Sequence, residues 1–196
     1  MFAQKFHPAM KHVGPARKKL GKRTAFNLLG PLSNPAGVKN QLVGVFSNEY
    51  LERLPTILKR KGAENIMTVR SDDGMDEFST SATNRVCILR DDKVLMNAID
   101  PEVVGLHKSS LNDIQISTRK DAIKSFVGVL NNTANQAMIE TTALNAAGGL
   151  IVANIANNFE EGVELAMNTI KDGKAFKTLE NFVADTGDIS KLKEMI

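Results

Sequence analysis

The chain has 196 residues, 42% of them hydrophobic and 24% charged, the make-up of a soluble globular protein long enough to bury most of its apolar surface. A single cysteine, Cys87, excludes an internal disulfide, and with only three histidines it leaves no zinc or iron–sulfur ligand spacing, so any metal must be held by oxygen. The net charge of +3 hides a split: residues 1–48 contain eight Lys or Arg and no carboxylate, while the other 148 residues carry 17 basic against 22 acidic side chains.

Met1 is followed by neither a charged nor an apolar leader segment. The longest apolar run, residues 144–156, is interrupted by Asn145 and Asn154 and is too short to span a bilayer. With the lone thiol set among Val86, Ile88 and Leu89, these features predict a soluble protein of the reducing cytoplasm.

In chain order, residues 7–37 come first, with four prolines, two of the three histidines and no carboxylate. Helix breakers mixed with concentrated positive charge suggest a wall of irregular backbone facing an anion. Residues 8–20 are expected to be helical in two pieces broken or kinked at Gly14-Pro15, and residues 24–29 to form a short apolar element. Gly30-Pro31 and Asn34-Pro35 are expected to fix turns, because the residue before proline is pushed out of the helical region. Residues 41–46 (QLVGVF) read as a strand buried on both faces, residues 48–61 as a helix with an uncomfortable Pro55, and residues 64–70 as the next strand. That βαβ unit argues for a parallel sheet. After the acidic stretch 71–80, residues 85–90 and 93–99 flank Asp91-Asp92 as an edge hairpin. Residues 113–117 suit one more short strand.

The last third reads as helical. Thr118 caps a helix whose stripe is Ala122, Ile123, Phe126, Val127 and Leu130. A long segment to residue 155 follows, its AAGG at 146–149 inviting close helix packing. Asn158 with Glu161 forms a capping pattern before Val163, Ala166, Met167 and Ile170, and Phe176, Leu179, Phe182 and Val183 mark a final helix. The expected fold is α/β, a mixed and mostly parallel sheet flanked by helices.

Two constellations carry chemistry. Asp72, Asp73, Asp76 and Glu77 cluster around Gly74 directly after a strand, where ligands of open α/β sheets bind. A loop can converge Asp76 and Glu77 on one Mg²⁺, which takes few protein carboxylates and completes its shell with water and phosphate. The bland alternative is a solvated acidic turn. Arg17, between Pro15 and Gly21, can offer a two-pronged fork to a carboxylate or phosphate, against the alternative of a surface arginine beside Lys18 and Lys19. His7 and His12 can titrate or donate hydrogen bonds. Nucleic-acid binding is open from charge alone, but the basic stretch has little aromatic interleaving beyond Phe2, Phe6 and Phe26.

The motifs HPAMKHVGPARKKLGKRTAFNLLGPLSNPAG, DDGMDE, TTALNAAGGLIVA and FEEGVELAMNTIKDGKA, in this order, resemble the anthranilate phosphoribosyltransferase family. The resemblance covers essentially the whole chain. It implies transfer of a phosphoribosyl group from phosphoribosyl pyrophosphate to anthranilate, with release of pyrophosphate, in tryptophan biosynthesis. It also implies a fold shared with pyrimidine nucleoside phosphorylases, Mg²⁺ as cofactor, and a homodimer when full length. By that resemblance Arg17 holds the anthranilate carboxylate, Gly30 and Pro31 line the anthranilate channel, His7 stands at its mouth, and Asp76 with Glu77 binds the magnesium.

The family's glycine-rich GTGGD loop, its Lys-His-Gly-Asn segment and the serine-rich stretch after it are absent from this sequence. Arg70-Ser71 also stands where relatives often have His-Gly, and Asn131-Asn132 replaces a glycine-containing turn. Residues 1–196 are therefore expected to be an α/β catalytic domain lacking the N-terminal helical domain and the first part of the sheet, and inactive alone. The rival readings are a non-catalytic nucleic-acid-binding relative of the same fold and a pyrimidine nucleoside phosphorylase.

Overall fold

A proline inside a helix removes a backbone donor, and three of the described helices contain one, each kept whole by its local surroundings. The structure is a computed structural model that describes residue 6 and residues 10–22, 24 and 26–194. It falls into two compact units, Met1–Lys39 and Asn40–Ile196, where the sequence suggested one α/β domain.

The first unit holds helices α1 (Met10–Leu20) and α2 (Phe26–Leu32). The expected break at Gly14-Pro15 and the turn at Gly30-Pro31 are both corrected, for each helix runs through its proline. Glycine precedes the proline both times, which removes the Cβ part of the clash that drives a pre-proline residue out of the helical region. α1 ends where Gly21 takes a left-handed φ of 59° and its N–H bonds the Arg17 carbonyl at 3.1 Å. Asn34 then fixes a turn by accepting the Ala36 N–H at 3.0 Å, as expected for Asn34-Pro35.

The second unit is built on a four-stranded sheet of order β1 (Asn40–Gly44), β2 (Asn65–Ser71), β3 (Asn84–Arg90), β4 (Lys93–Ile99). β1 and β2 pair in parallel from Asn40↔Asn65 to Gly44↔Val69, across α3 (Glu49–Arg60). The expected mixed sheet is present, but the expectation that it is mostly parallel is corrected: β2–β3 and β3–β4 are antiparallel. The reason is the connection. Parallel pairing needs a crossover, usually a helix, and β2 is joined to β3 by the acidic loop alone. The hairpin is as expected, with Asp91 (φ 49°) and Asp92 (φ 62°) both left-handed, the geometry of a two-residue primed turn.

Successive residues of β2 face opposite sides, and both sides are covered. Met67 and Val69 pack with Phe78, Leu144, Ala147, Ile151 and Val163, the core beneath α6 (Gln136–Val152) and α7 (Phe159–Lys171). Thr68 points the other way, to α3, whose buried face is Leu51, Leu54, Pro55 and Leu58. Small residues let α6 and α7 meet closely, since a Cβ at Gly162 would lie 2.9 Å from that of Ala147.

Two peripheral expectations fail. Residues 113–117 are not a strand: Leu111–Ile114 is a short helix, α4, because Ser110 and Asp113 form a reciprocal capping box. In α5 (Arg119–Leu130) the Thr118 cap is present, but the buried positions are Val127, Gly128 and Val129. Ile123 and Phe126 of the expected stripe are exposed at 36% and 57%, because only the last turn of this outer helix packs. The C-terminal end adds α8 (Lys174–Thr186) and α9 (Ile189–Lys193), the latter capped by Asp188.

Pro55 explains Thr68. Proline lacks the N–H that would reach the Leu51 carbonyl one turn back, and the fully buried Thr68 hydroxyl donates to that oxygen at 2.5 Å instead. Thr68→Val should lower unfolding stability in urea by about 1–3 kcal/mol, the cost of an unpaired buried carbonyl. Adding Pro55→Ala, which returns the backbone donor, should recover much of that loss. An equal Thr68→Val penalty in both backgrounds would contradict the pairing.

Candidate active site

The loop between β2 and β3 carries four carboxylates, and the fold treats them in two ways. Asp72 is gripped by Arg85, whose Nε and Nη2 donate to its two oxygens at 2.6 and 3.2 Å. Asp73 accepts the Met75 N–H at 3.0 Å and the Ser81 hydroxyl. Partial burial alone would raise the Asp73 pKa, but hydrogen bonds from serine hydroxyls and the Met75 amide outweigh it and hold the group below the usual aspartate value. Asp76 and Glu77 accept no hydrogen bond and form no ion pair among the described residues.

Glu77 is pushed above the usual glutamate value, first by desolvation and then by the neighbouring Asp76 charge. The desolvation has a visible source. Glu77 borders an apolar cleft of about 330 Å³ lined by Met75, Ile116, Phe126 and Met138, among others. Asp76 and Glu77 are both exposed, adjacent and without a partner among the described residues.

The loop is seated rather than free. At the end of β1, any side chain on Gly44 would overlap the Asp76 carbonyl. Phe78 is fully buried: its N–H donates to Asn145 Oδ1 at 3.0 Å, and its carbonyl accepts from Asn145 Nδ2 at 2.7 Å. Its ring lies over Gly148, where a Cβ would come within 2.7 Å of Cε2, and meets Phe159 edge-on at 5.3 Å between centroids. Asn84 grips both backbone groups of Ser79 at 2.8 and 2.9 Å. Thr80 Oγ1 lies 2.7 Å from both Thr141 Oγ1 and Ser109 Oγ.

A second bracket stands behind Ser109. Glu140, 2% exposed, meets His107 Nδ1 at 2.7 Å and accepts the His107 N–H at 2.8 Å and Gln136 Nε2 at 2.7 Å. Burial would raise the Glu140 pKa, but these bonds lower it, and the same carboxylate raises that of His107.

In the first unit, Arg17 is half-buried and lines an open cleft of about 390 Å³ with Gly14, Lys18, Gly21, Lys22 and Asn27. Three cations and no carboxylate suit an anion. Gly30 and Pro31 stand in the last turn of α2 and are not among the residues lining that cleft. His12 is exposed on α1, and His7 lies outside the described residues.

The structure thus sets Asp76 and Glu77 apart as a pair and withdraws Asp72 and Asp73. Lys22, Asn27, Gly44, Asn145, Gly148, His107 and Glu140 were not anticipated as site residues. Asn145 had a visible signal, a polar residue interrupting the longest apolar run. Among the described residues, no group of three or more His, Cys, Asp or Glu side chains is placed to hold a metal, and no helix is long and apolar enough to cross a membrane.

A mixed sheet covered by helices on both faces, with a seated acidic loop beyond its parallel strand, defines an α/β protein built to present a ligand site at a strand end. Residues 1–176 match the glycosyl transferase family, a/b domain, and the chain belongs to that family. It is 88% identical over 195 residues to an anthranilate phosphoribosyltransferase of Nitrosopumilus maritimus, covering all of this chain and 56% of that protein. The corresponding protein of Cenarchaeum symbiosum is 50% identical, with 99% of this chain and 57% of that one covered. The crystal structure of anthranilate phosphoribosyltransferase from Thermus thermophilus superposes with a TM-score of 0.82 at 36% identity, over 91% of this chain and 52% of that one. The Saccharomyces cerevisiae enzyme in complex with PRPP and Mg superposes with a TM-score of 0.77 at 25% identity, over 91% and 51%. The chain spans a little over half the length of the curated relatives it matches.

The His107–Glu140 pair sets a pH window. The raised His107 pKa gives stabilisation that is complete below the ordinary value of 6.5 and fades as pH rises through the raised one. The lowered Glu140 pKa gives stabilisation that is complete above the ordinary 4.5 and fades on acidification through the lowered one. The pair is therefore strongest between pH 4.5 and 6.5. An NMR titration should place the His107 midpoint above 6.5 and bring it down in Glu140→Gln. An unchanged midpoint in that variant would show that Glu140 is not the cause.

Proposed function

We propose that this chain is the anthranilate- and magnesium-binding portion of an anthranilate phosphoribosyltransferase. The reaction moves a phosphoribosyl group from phosphoribosyl pyrophosphate to the amine of anthranilate and releases pyrophosphate, a step of tryptophan biosynthesis. One observation carries the reading: the acidic loop pairs Asp72 with Arg85, holds Asp73 by hydrogen bonds from Met75 and Ser81, and leaves Asp76 and Glu77 without partners among the described residues. The names of the relatives, and the yeast structure with PRPP and Mg, support the choice of substrates.

The residues fit the metal. Mg²⁺ is commonly held by one or two carboxylates, with water and substrate phosphate completing six oxygens, so an adjacent pair suffices where a closed cage of three or more side chains does not occur among the described residues. Asp76 and Glu77 would hold Mg²⁺, and the ion would supply stabilisation of the charge on the departing pyrophosphate. Asp76 and Glu77 fix where that charge is received. Arg17 offers two parallel donors to the anthranilate carboxylate, which fixes the orientation of the ring. Lys18 and Lys22 add positive potential to the same cleft. Gly30, Pro31 and His7 belong to this proposal as anthranilate contacts, as do a homodimer and a cytoplasmic setting.

The test is a hybrid in which this chain replaces the 195 matching residues of the Nitrosopumilus maritimus relative. With phosphoribosyl pyrophosphate and Mg²⁺, the hybrid should consume anthranilate, followed by loss of its fluorescence, while this chain alone should not. Arg17→Ala should raise the anthranilate KM about 10- to 100-fold, the loss of a charge-assisted pair, with far less effect on phosphoribosyl pyrophosphate. A hybrid that leaves anthranilate untouched but cleaves pyrimidine nucleosides with phosphate, indifferent to Arg17→Ala, would overturn the reading in favour of a nucleoside phosphorylase.

A further inference from the structure

Thr141, Asn145 and Gly148 stand at i, i+4 and i+7 of α6, one face of the helix. All three touch the acidic loop: Thr141 at the Thr80 hydroxyl, Asn145 at the Phe78 backbone, Gly148 at the Phe78 ring. We propose that Asn145 is the positioning residue of the cation site. Its amide binds the N–H of the Glu77–Phe78 peptide and the carbonyl of the next peptide, and so fixes the backbone immediately after Glu77. The inference rests on the reading of Asp76 and Glu77 as the cation-holding pair, and it adds a residue that never touches the cation.

The geometry admits little else at position 145. Phe78 is fully buried, so each of its backbone groups needs a partner, and one primary amide satisfies a donor and an acceptor at once. Asn145 Nδ2 also donates to the Thr141 carbonyl one turn back at 2.9 Å, which holds the side-chain amide in one orientation. Alanine would leave both Phe78 groups unpaired. Aspartate would keep an acceptor for the N–H but set a charge against the carbonyl. Because Phe78 follows Glu77 directly, rotation of that peptide swings the Glu77 carboxylate, and residues that orient metal ligands typically govern affinity by about 10- to 100-fold.

The experiment uses the 196-residue chain and Mn²⁺ as the probe, with free Mn²⁺ read by electron paramagnetic resonance and the Phe78 amide followed by hydrogen exchange. Asn145→Ala should weaken Mn²⁺ binding about 10- to 100-fold and expose the Phe78 amide to exchange. Asn145→Asp, which carries the test should the alanine variant not fold, should weaken binding while leaving that amide protected. Leu192→Ala, a trim in the C-terminal helix α9 away from the core that seats the loop, should lower the melting temperature with Mn²⁺ affinity unchanged, which separates positioning from general loosening. Wild-type Mn²⁺ affinity in a folded Asn145 variant would overturn this inference alone. A wild-type chain that binds no Mn²⁺ would overturn the reading of the acidic pair, and this inference with it.

Discussion

Burying a loop peptide requires that its N–H and carbonyl be paired, and in this protein that requirement falls on the contact between Phe78 and Asn145. A long helix supplies a side-chain amide where a strand would ordinarily supply backbone. Glycines at 44 and 148 remove the Cβ atoms that would keep the loop away. Once Phe78 is fixed, the neighbours on either side have little freedom. Arg85 takes Asp72, Ser81 takes Asp73, and Asp76 and Glu77 are left side by side with no protein counter-charge among the described residues. Adjacent unpaired carboxylates are unfavourable for folding. Their presence on a rigid seat is a local conflict of the kind expected where function, not stability, sets the sequence.

The rest of the second unit exists to hold that seat. The β2 strand is covered on both faces, so its end point is determined by packing from both directions. The parallel β1 strand brings Gly44 up to the loop, and the antiparallel β3 strand returns Asn84 and Arg85 beside it through the pairs Ser71↔Asn84 and Arg70↔Arg85. The His107–Glu140 bracket fixes the segment from which Ser109 reaches Thr80. In the first unit, α1 and the turn that ends it concentrate Arg17, Lys18 and Lys22 around one cleft without a carboxylate among its lining residues.

What could be read from the sequence was what local rules decide. The individual strands and helix of the βαβ unit, the Asp91-Asp92 turn, the caps at Thr118 and Asn158 and the adjacency of Asp76 and Glu77 are set by short stretches of sequence. The division of the four loop carboxylates was not legible, because it depends on Arg85 and Ser81, delivered by chain reversal. The helices through Pro15 and Pro31 run against the breaker rule where a preceding glycine eases the pre-proline restriction, and Pro55 is tolerated because its compensation, Thr68, comes from another element. The α5 stripe was periodic, yet periodicity does not say which turns have a neighbour. Asn145 was visible only as an interruption, and its purpose lies 67 residues away along the chain.

The central claim is that the fold leaves one carboxylate pair, and no other in the loop, ready for a divalent cation. Paramagnetic broadening of the chain's amide NMR spectrum by sub-stoichiometric Mn²⁺ tests it most directly, because broadening falls off steeply with distance from the ion. The account predicts broadening centred on Asp76, Glu77 and their immediate neighbours. Broadening centred instead on Asp72 and Asp73, or on the Asp91-Asp92 turn at the far end of β3, would contradict it.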